Sequence, residues 1–215
     1  GKAVFDSVER HVSAHPVEWR GGFTAPERPA LGQVWRAGAH TVQICMEDVF
    51  MDTPRRERAG WLGDMVPEAM AAYYAFGETR LSRHALDLFM RSQQPEGWIV
   101  GRFPSNDGPN MPNFSAGYAF ALADYVLHSG DVEFARQVWP GVRKLTEWFE
   151  RQRQSDGLLI VKPSKRGETK TSGYILADWA PTKLDGAVSV MNMFYVRYLD
   201  DCARLAGMAG LADEA

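Results

Sequence analysis

The 215 residues are 45% hydrophobic, 12% aromatic and 24% charged, and 24 basic against 27 acidic side chains leave a net charge of -3. Those values exclude a disordered, collagenous or low-complexity chain. The mild acidity argues against nucleic acid or anionic lipid as the main partner.

At about 150 residues per domain the length holds one domain, or one and a fraction. No apolar run approaches the roughly 20 residues that span a bilayer, and Gly1-Lys2-Ala3-Val4 lacks an apolar signal core. The compartment is left open. Cys45 and Cys202 fall in apolar helical patterns and read as small buried hydrophobes, with a disulfide between them neither required nor excluded. There is no Cys/His cluster, so no metal is expected.

Residues 1 to 30 carry His15-Pro16, Gly21-Gly22, Pro26 and Pro29 beside short β-like stretches, Val4-Phe5 and Val17-Trp19. They read as a linker or β lead-in from a preceding domain, with a helical domain from Leu31 to Ala215. Helical periodicity runs from about Gln33 to Val49. It resumes over 62 to 76 on Met65, Ala69, Ala72, Tyr73 and Phe76, and over 79 to 93 on Leu81, Ala85, Leu88 and Phe89. Residues 94 to 113 form a long loop rich in proline and glycine, a kind that is often functional. Within it, Trp98 either reaches a cleft or anchors the loop.

The next helix spans Asn113 to His128. Another starts at Gly130-Asp131 and is expected to break at Pro140, with Trp139 and Trp148 in the core. Leu158 to Val161 reads as a strand and Lys162 to Thr171 as a polar turn, together a hairpin. A final helix covers about 185 to 206, with Met191, Phe194, Tyr195, Tyr198, Leu199, Cys202 and Leu205 on one face. Glycine turns at Gly77, Gly130 and Gly207 join helices in pairs. Stacked helical hairpins make bundles, solenoids or closed α/α toroids, and the alternation of long loops with tight turns gathers the loops at one end. His15, His40, His84 and His128 lie in separate segments and read as structural or surface residues.

The chemistry concentrates in Met51-Asp52-Thr53-Pro54-Arg55-Arg56-Glu57-Arg58-Ala59-Gly60-Trp61-Leu62-Gly63-Asp64. Charge alone would make this a solvated patch, with Asp64 placed by the helix dipole. A tryptophan bracketed by glycines among carboxylates describes more: a site where carboxylates grip hydroxyl pairs and a ring stacks on a sugar.

This stretch resembles the signature of the α-L-rhamnosidases of glycoside hydrolase family 78, roughly Asp-x-Pro-x-Arg-(Asp)-Glu-Arg-x-Gly-Trp-x-Gly-Asp. Asp52, Pro54, Arg56, Glu57, Arg58, Gly60, Trp61, Gly63 and Asp64 match it, and the extra acid that many members carry before the glutamate is absent. Gly32 to Trp35, Pro112 to Ser115, Ser129 to Asp131, Ser155 to Leu158 and Ala177 to Trp179 are also similar to family features. The resemblance implies an all-α, (α/α)6 toroid, of which this chain would be about the N-terminal half. It implies inverting hydrolysis of terminal α-L-rhamnose from a rhamnose-containing glycoside, without metal or organic cofactor. Glu57 would be the general acid. Asp52, Arg56 and Asp64 would bind hydroxyls, Trp61 would pack on the sugar, and Trp179 would line the same pocket.

A general acid must hold a proton; Asp52 and Asp64 would favour it, and Arg55, Arg56 and Arg58 would oppose it. The family's general base is a glutamate on a later barrel element, and no acid after Asp131 matches it, so the remainder of the catalytic domain is the expected partner. Alone, the chain would expose inner helix faces and associate. The alternatives are another (α/α)6 glycosidase, or a non-catalytic helical module that binds a carbohydrate or a protein.

Overall fold

The computed structural model describes residues 2–9, 11–106, 108–161, 175 and 183–211. Among the described residues there are six helices and no strand: α1 (Pro29–Cys45), α2 (Leu62–Phe76), α3 (Arg80–Arg91), α4 (Pro112–Ser129), α5 (Val132–Glu150) and α6 (Ser189–Ala209). The β-like stretches of the lead-in form no ladder; only isolated bridges occur.

Position in the fold follows from which faces are apolar. Residues from Asn113 to Val126 are buried around most of the circumference of α4, so α4 is the central helix. It packs mainly on α6 and α2. By contrast α3 and α5 bury one stripe each: Leu81, Ala85 and Phe89 on α3; Val138, Val142, Leu145 and Phe149 on α5.

Local signals set most helix ends. Pro29 and Pro112 occupy first turns, where a missing N–H costs nothing. Gly77 and Gly130 close α2 and α4 in the left-handed region, at φ 63° and 73°. Asp131 caps α5 by accepting the Phe134 N–H at 3.1 Å, and its other oxygen accepts from Tyr125 Oη at 2.7 Å and Arg83 at 3.2 Å.

Several elements depart from expectation. α1 starts four residues earlier than Gln33 and stops at Cys45, where Met46–Phe50 turns back on itself in a bridge. α5 runs through Pro140 without a break. Proline inside a helix costs about 3 kcal/mol, but Pro140 is on the exposed side and the buried stripe continues in phase from Val138 to Leu145. Each such side chain contributes about 1.5–3 kcal/mol, which outweighs the lost bond. α6 begins and ends later than expected, passing through Gly207 and closing at Gly210, φ 69°. Leu199 is exposed rather than part of its buried stripe.

Leu158–Val161 is extended and alternates out and in, with Leu159 and Val161 buried. It pairs with the residues just after α5: Gln154 N–H donates to Leu158 O and Ile160 N–H to Gln152 O. The turn of this pairing is Ser155-Asp156-Gly157; the hairpin expected through the polar turn at 162 to 171 lies outside the described residues. Cys45 and Cys202 are buried free thiols, and Trp139 and Trp148 are in the core.

From His15 on, the lead-in is docked on the helices. His15 N–H donates to Met46 O, and Arg20 and Gly21 N–H groups both donate to Ala75 O. Trp19 packs edge-on against Trp35 and Phe76. A cleft of about 460 Å³ lies here, at the C-terminal end of α2. Its buried acid, Glu78, is engaged with the Arg80 side chain, the Arg80 and Leu81 N–H groups and His15. Burial opposes ionisation of Glu78, but these donors hold its carboxyl below the ordinary range, so it is a structural anchor.

Candidate active site

The motif folds at the opposite end of α2, about 22 Å away by helix length. Residues 46–61 form the connection from α1, and its tip is closed at a neck. Asp52 N–H donates to Ala59 O at 3.1 Å, and Asp52 Oδ1 accepts the Ala59 N–H at 3.0 Å. The arginine-rich tip, 53 to 58, projects beyond this neck. Arg58 adopts φ 52° and its guanidinium bonds both Glu47 oxygens at 2.5 and 2.6 Å, which anchors the tip to the α1 side.

Within the tip, the Glu57 carboxylate is held at both oxygens. Trp61 Nε1 donates to Oε2 at 3.1 Å, and Arg56 Nη2 lies 3.4 Å from Oε1. The Glu57 side chain is 43% exposed, so its carboxylate sits at a surface that a ligand can reach.

The long loop builds the other wall. Gly60 to Leu62 pairs with residues 101 to 103: Phe103 N–H donates to Gly60 O and Leu62 N–H to Gly101 O, both at 2.9 Å. This pairing and the approach of α4 explain two motif glycines. A Cβ at Gly60 would stand 2.6 Å from Phe103 O, and one at Gly63 would stand 2.5 Å from the Phe114 ring. Phe114, from the first turn of α4, meets Trp61 edge-on at 6.1 Å. The Arg102 guanidinium lies 5.0 Å from the Trp61 ring centre. The Trp61 ring is thus braced on one face by Arg102 and at its edge by Phe114. Trp98 is fully buried and anchors this loop to the core instead of reaching a cleft. Ser115 Oγ bonds Ile99 O beside it.

Trp61 is the N-cap of α2, and Asp64 stands in its first turn, partly buried. Asp64 and Asp52 both act electrostatically on Glu68, one turn further along α2. Glu68 is a residue that the motif did not flag. Burial first, then the Asp64 and Asp52 charges, push its carboxyl up to about 9. The buried Cys45 thiol, at the end of α1, is pushed up to about 11 by burial and by the Glu68 and Asp52 charges. The available signal was the four-residue spacing from Asp64, which puts both acids on one face of a helix.

The structure therefore gathers Arg56, Glu57 and Trp61 by direct contact, and brings the Asp52 and Asp64 charges near Glu68. Trp179 lies outside the described residues. Among the described residues no group of three His, Cys, Asp or Glu side chains has the geometry to hold a metal ion. No helix among them is long and apolar enough to cross a membrane.

Residues 20–215 match the family model of the bacterial alpha-L-rhamnosidase six-hairpin glycosidase domain. The fold is similar to that of a GH78 family rhamnosidase of Bacillus sp. GL1, at 32% identity and a TM-score of 0.84, over 94% of this chain and 20% of that one. It is also similar to a rhamnosidase from Klebsiella oxytoca with rhamnose bound, at 22% identity and a TM-score of 0.76, over 88% of this chain and 36% of that one. An alpha-L-rhamnosidase from Streptomyces avermitilis complexed with L-rhamnose aligns at 21% identity and a TM-score of 0.63, over 93% and 18%. No curated protein matches the chain. The chain thus spans about a fifth to a third of the length of these solved relatives.

Proposed function

Because the chain belongs to the bacterial α-L-rhamnosidase six-hairpin glycosidase family, we propose that it carries the acid half of a site hydrolysing terminal α-L-rhamnose from rhamnosides. Glu57 is the general acid. Its proton passes to the glycosidic oxygen as the bond from that oxygen to the sugar's anomeric carbon breaks, and a water attacks the opposite face. An inverting enzyme needs a second carboxylate, the base, about 6.5–9.5 Å from the acid. That base belongs to the remainder of the catalytic domain. Asp52, Arg56 and Asp64 bind sugar hydroxyls, Trp61 packs against the ring, and Trp179 lines the same pocket. No metal or organic cofactor is needed, because both proton transfers run through carboxyl groups.

The observation that carries this reading is the fixed placement of the Glu57 carboxylate, bonded to Trp61 Nε1 at the rim of the motif. Trp61 keeps the acid aimed, and its ring is braced by Arg102 and Phe114. The test is proton NMR of the first sugar released from an α-L-rhamnoside by the full-length protein. The β-anomer appearing first supports the reading. The α-anomer would mean retention, and no release of rhamnose would leave the motif as a binding surface or the site of another sugar.

A further inference from the structure

The geometry points to Glu47 as a positioning residue: from the turn after α1 it grips Arg58 and so holds the backbone that aims Glu57. The inference rests on reading Glu57 as the general acid. Arg58 directly follows that acid, and its φ of 52° puts it in the left-handed region. Among the described residues no other non-glycine residue has a positive φ. An L side chain is disfavoured there, and the conformation persists only where the surroundings impose it. Arg58 is exposed, so no packing imposes it.

The restraint comes from Glu47. Arg58 Nη2 donates to both of its carboxylate oxygens, at 2.5 and 2.6 Å, and such charge-assisted bonds are the strong ones. An ion pair between two mobile surface side chains does little, but here one partner is fixed. The Glu47 side chain is only 23% exposed. Its backbone belongs to the turn in which Met46 and Phe50 bridge and the Glu47 N–H donates to Val49 O at 3.1 Å. Met46, Phe50 and Met51 bury that turn in the core. The next residue, Ala59, is tied to Asp52 at the neck. Both residues that follow the acid are therefore held, one by Glu47 and one by Asp52. The chain direction at Glu57 is set, and its carboxylate meets Trp61 Nε1 at 3.1 Å. Glu47 touches neither Glu57 nor the sugar in this role; it acts through Arg58.

The experiment compares variants of the full-length protein on two aryl α-L-rhamnosides. p-Nitrophenol leaves with little protonation, whereas phenol needs the acid. Glu47→Gln keeps the size of the side chain and removes its charge. It is expected to lower kcat on phenyl α-L-rhamnoside by roughly tenfold to a hundredfold, the cost of misplacing a catalytic group, with KM within about threefold. The loss on the nitrophenyl substrate is smaller. Glycine adopts a positive φ freely and alanine does not, so Arg58→Gly keeps at least about tenfold more kcat on phenyl α-L-rhamnoside than Arg58→Ala. In the Arg58→Gly background, Glu47→Gln adds less than about a threefold loss, because the two act as one unit. Unchanged kcat in Glu47→Gln, equal losses on both substrates, equal kcat for the glycine and alanine variants, or a full further loss in the double variant overturns the inference. If the wild type releases rhamnose from neither substrate, the proposed activity fails, and a crystal structure of Glu47→Gln decides the role of Glu47. Arg58 out of the left-handed region together with Glu57 detached from Trp61 Nε1 supports it; either one unchanged overturns it. Should Glu47→Gln not fold, the Arg58→Gly and Arg58→Ala pair decides by the same rule.

Discussion

Trp61 joins the chemistry of the motif to the fold. Its indole N–H holds Glu57, its ring rests on Arg102 and Phe114, and its backbone begins α2. Replacing it with phenylalanine keeps the ring and removes the donor. Trp61→Phe is expected to lower kcat on a natural rhamnoside by roughly tenfold to a hundredfold, by letting the acid drift. Unchanged kcat would show that the bond does not position Glu57. Glu68 adds a pH term of definite sign. Its folded pKa, about 9, is above the unfolded value, so its contribution is complete below pH 4.5 and fades as pH rises to about 9. Glu57, Arg56, Asp52, Trp61 and Asp64 were legible because they form one contiguous motif. Glu68 was not, because after Pro67 it reads as an ordinary helix acid, and only its partial burial and the nearby Asp64 and Asp52 charges make it different.

At the scale of elements, the site depends on α4 pressing its first turn against that of α2. Gly63 permits that approach, since any Cβ there enters the Phe114 ring. Gly63→Ala is expected to cost about 1–3 kcal/mol, the range for overpacking, and to loosen Trp61 through Phe114. Thermal unfolding checks it, and a midpoint equal to the wild type would show that Phe114 yields freely. The bounds of α2 were readable because its apolar period and Gly77 agree. The fate of Pro140 was not, because the break signal is local whereas the buried stripe that overrides it is tertiary. The 158–161 segment had the right alternation, and its pairing with residues 152–154 went unread, because sequence does not show that the chain just after α5 lies alongside. Likewise, nothing in the motif announces that residues 101 to 103, forty positions on, form its second wall.

At the scale of the molecule, the six helices make three hairpins, and the family is a six-hairpin toroid. α6 is the last described element, and it leaves apolar side chains in water: Met193 is 71% and Val196 68% exposed. These side chains fit a face that the remaining hairpins would cover. The 215-residue chain on its own is therefore expected to self-associate, and Met193→Lys with Val196→Lys to return it to a monomer in sedimentation. A monomeric parent chain would mean that this face needs no cover.

Glu57 as the general acid is most directly tested by Glu57→Gln in the full-length protein, assayed on two substrates. A natural rhamnoside has a poor leaving group that must be protonated, whereas p-nitrophenol leaves with little help. General acid catalysis contributes about 10²–10⁴-fold. The expected result is a loss of that size in kcat on the natural substrate and a much smaller loss on the nitrophenyl rhamnoside. Equal losses on both would contradict the role of acid and leave Glu57 as a binding residue.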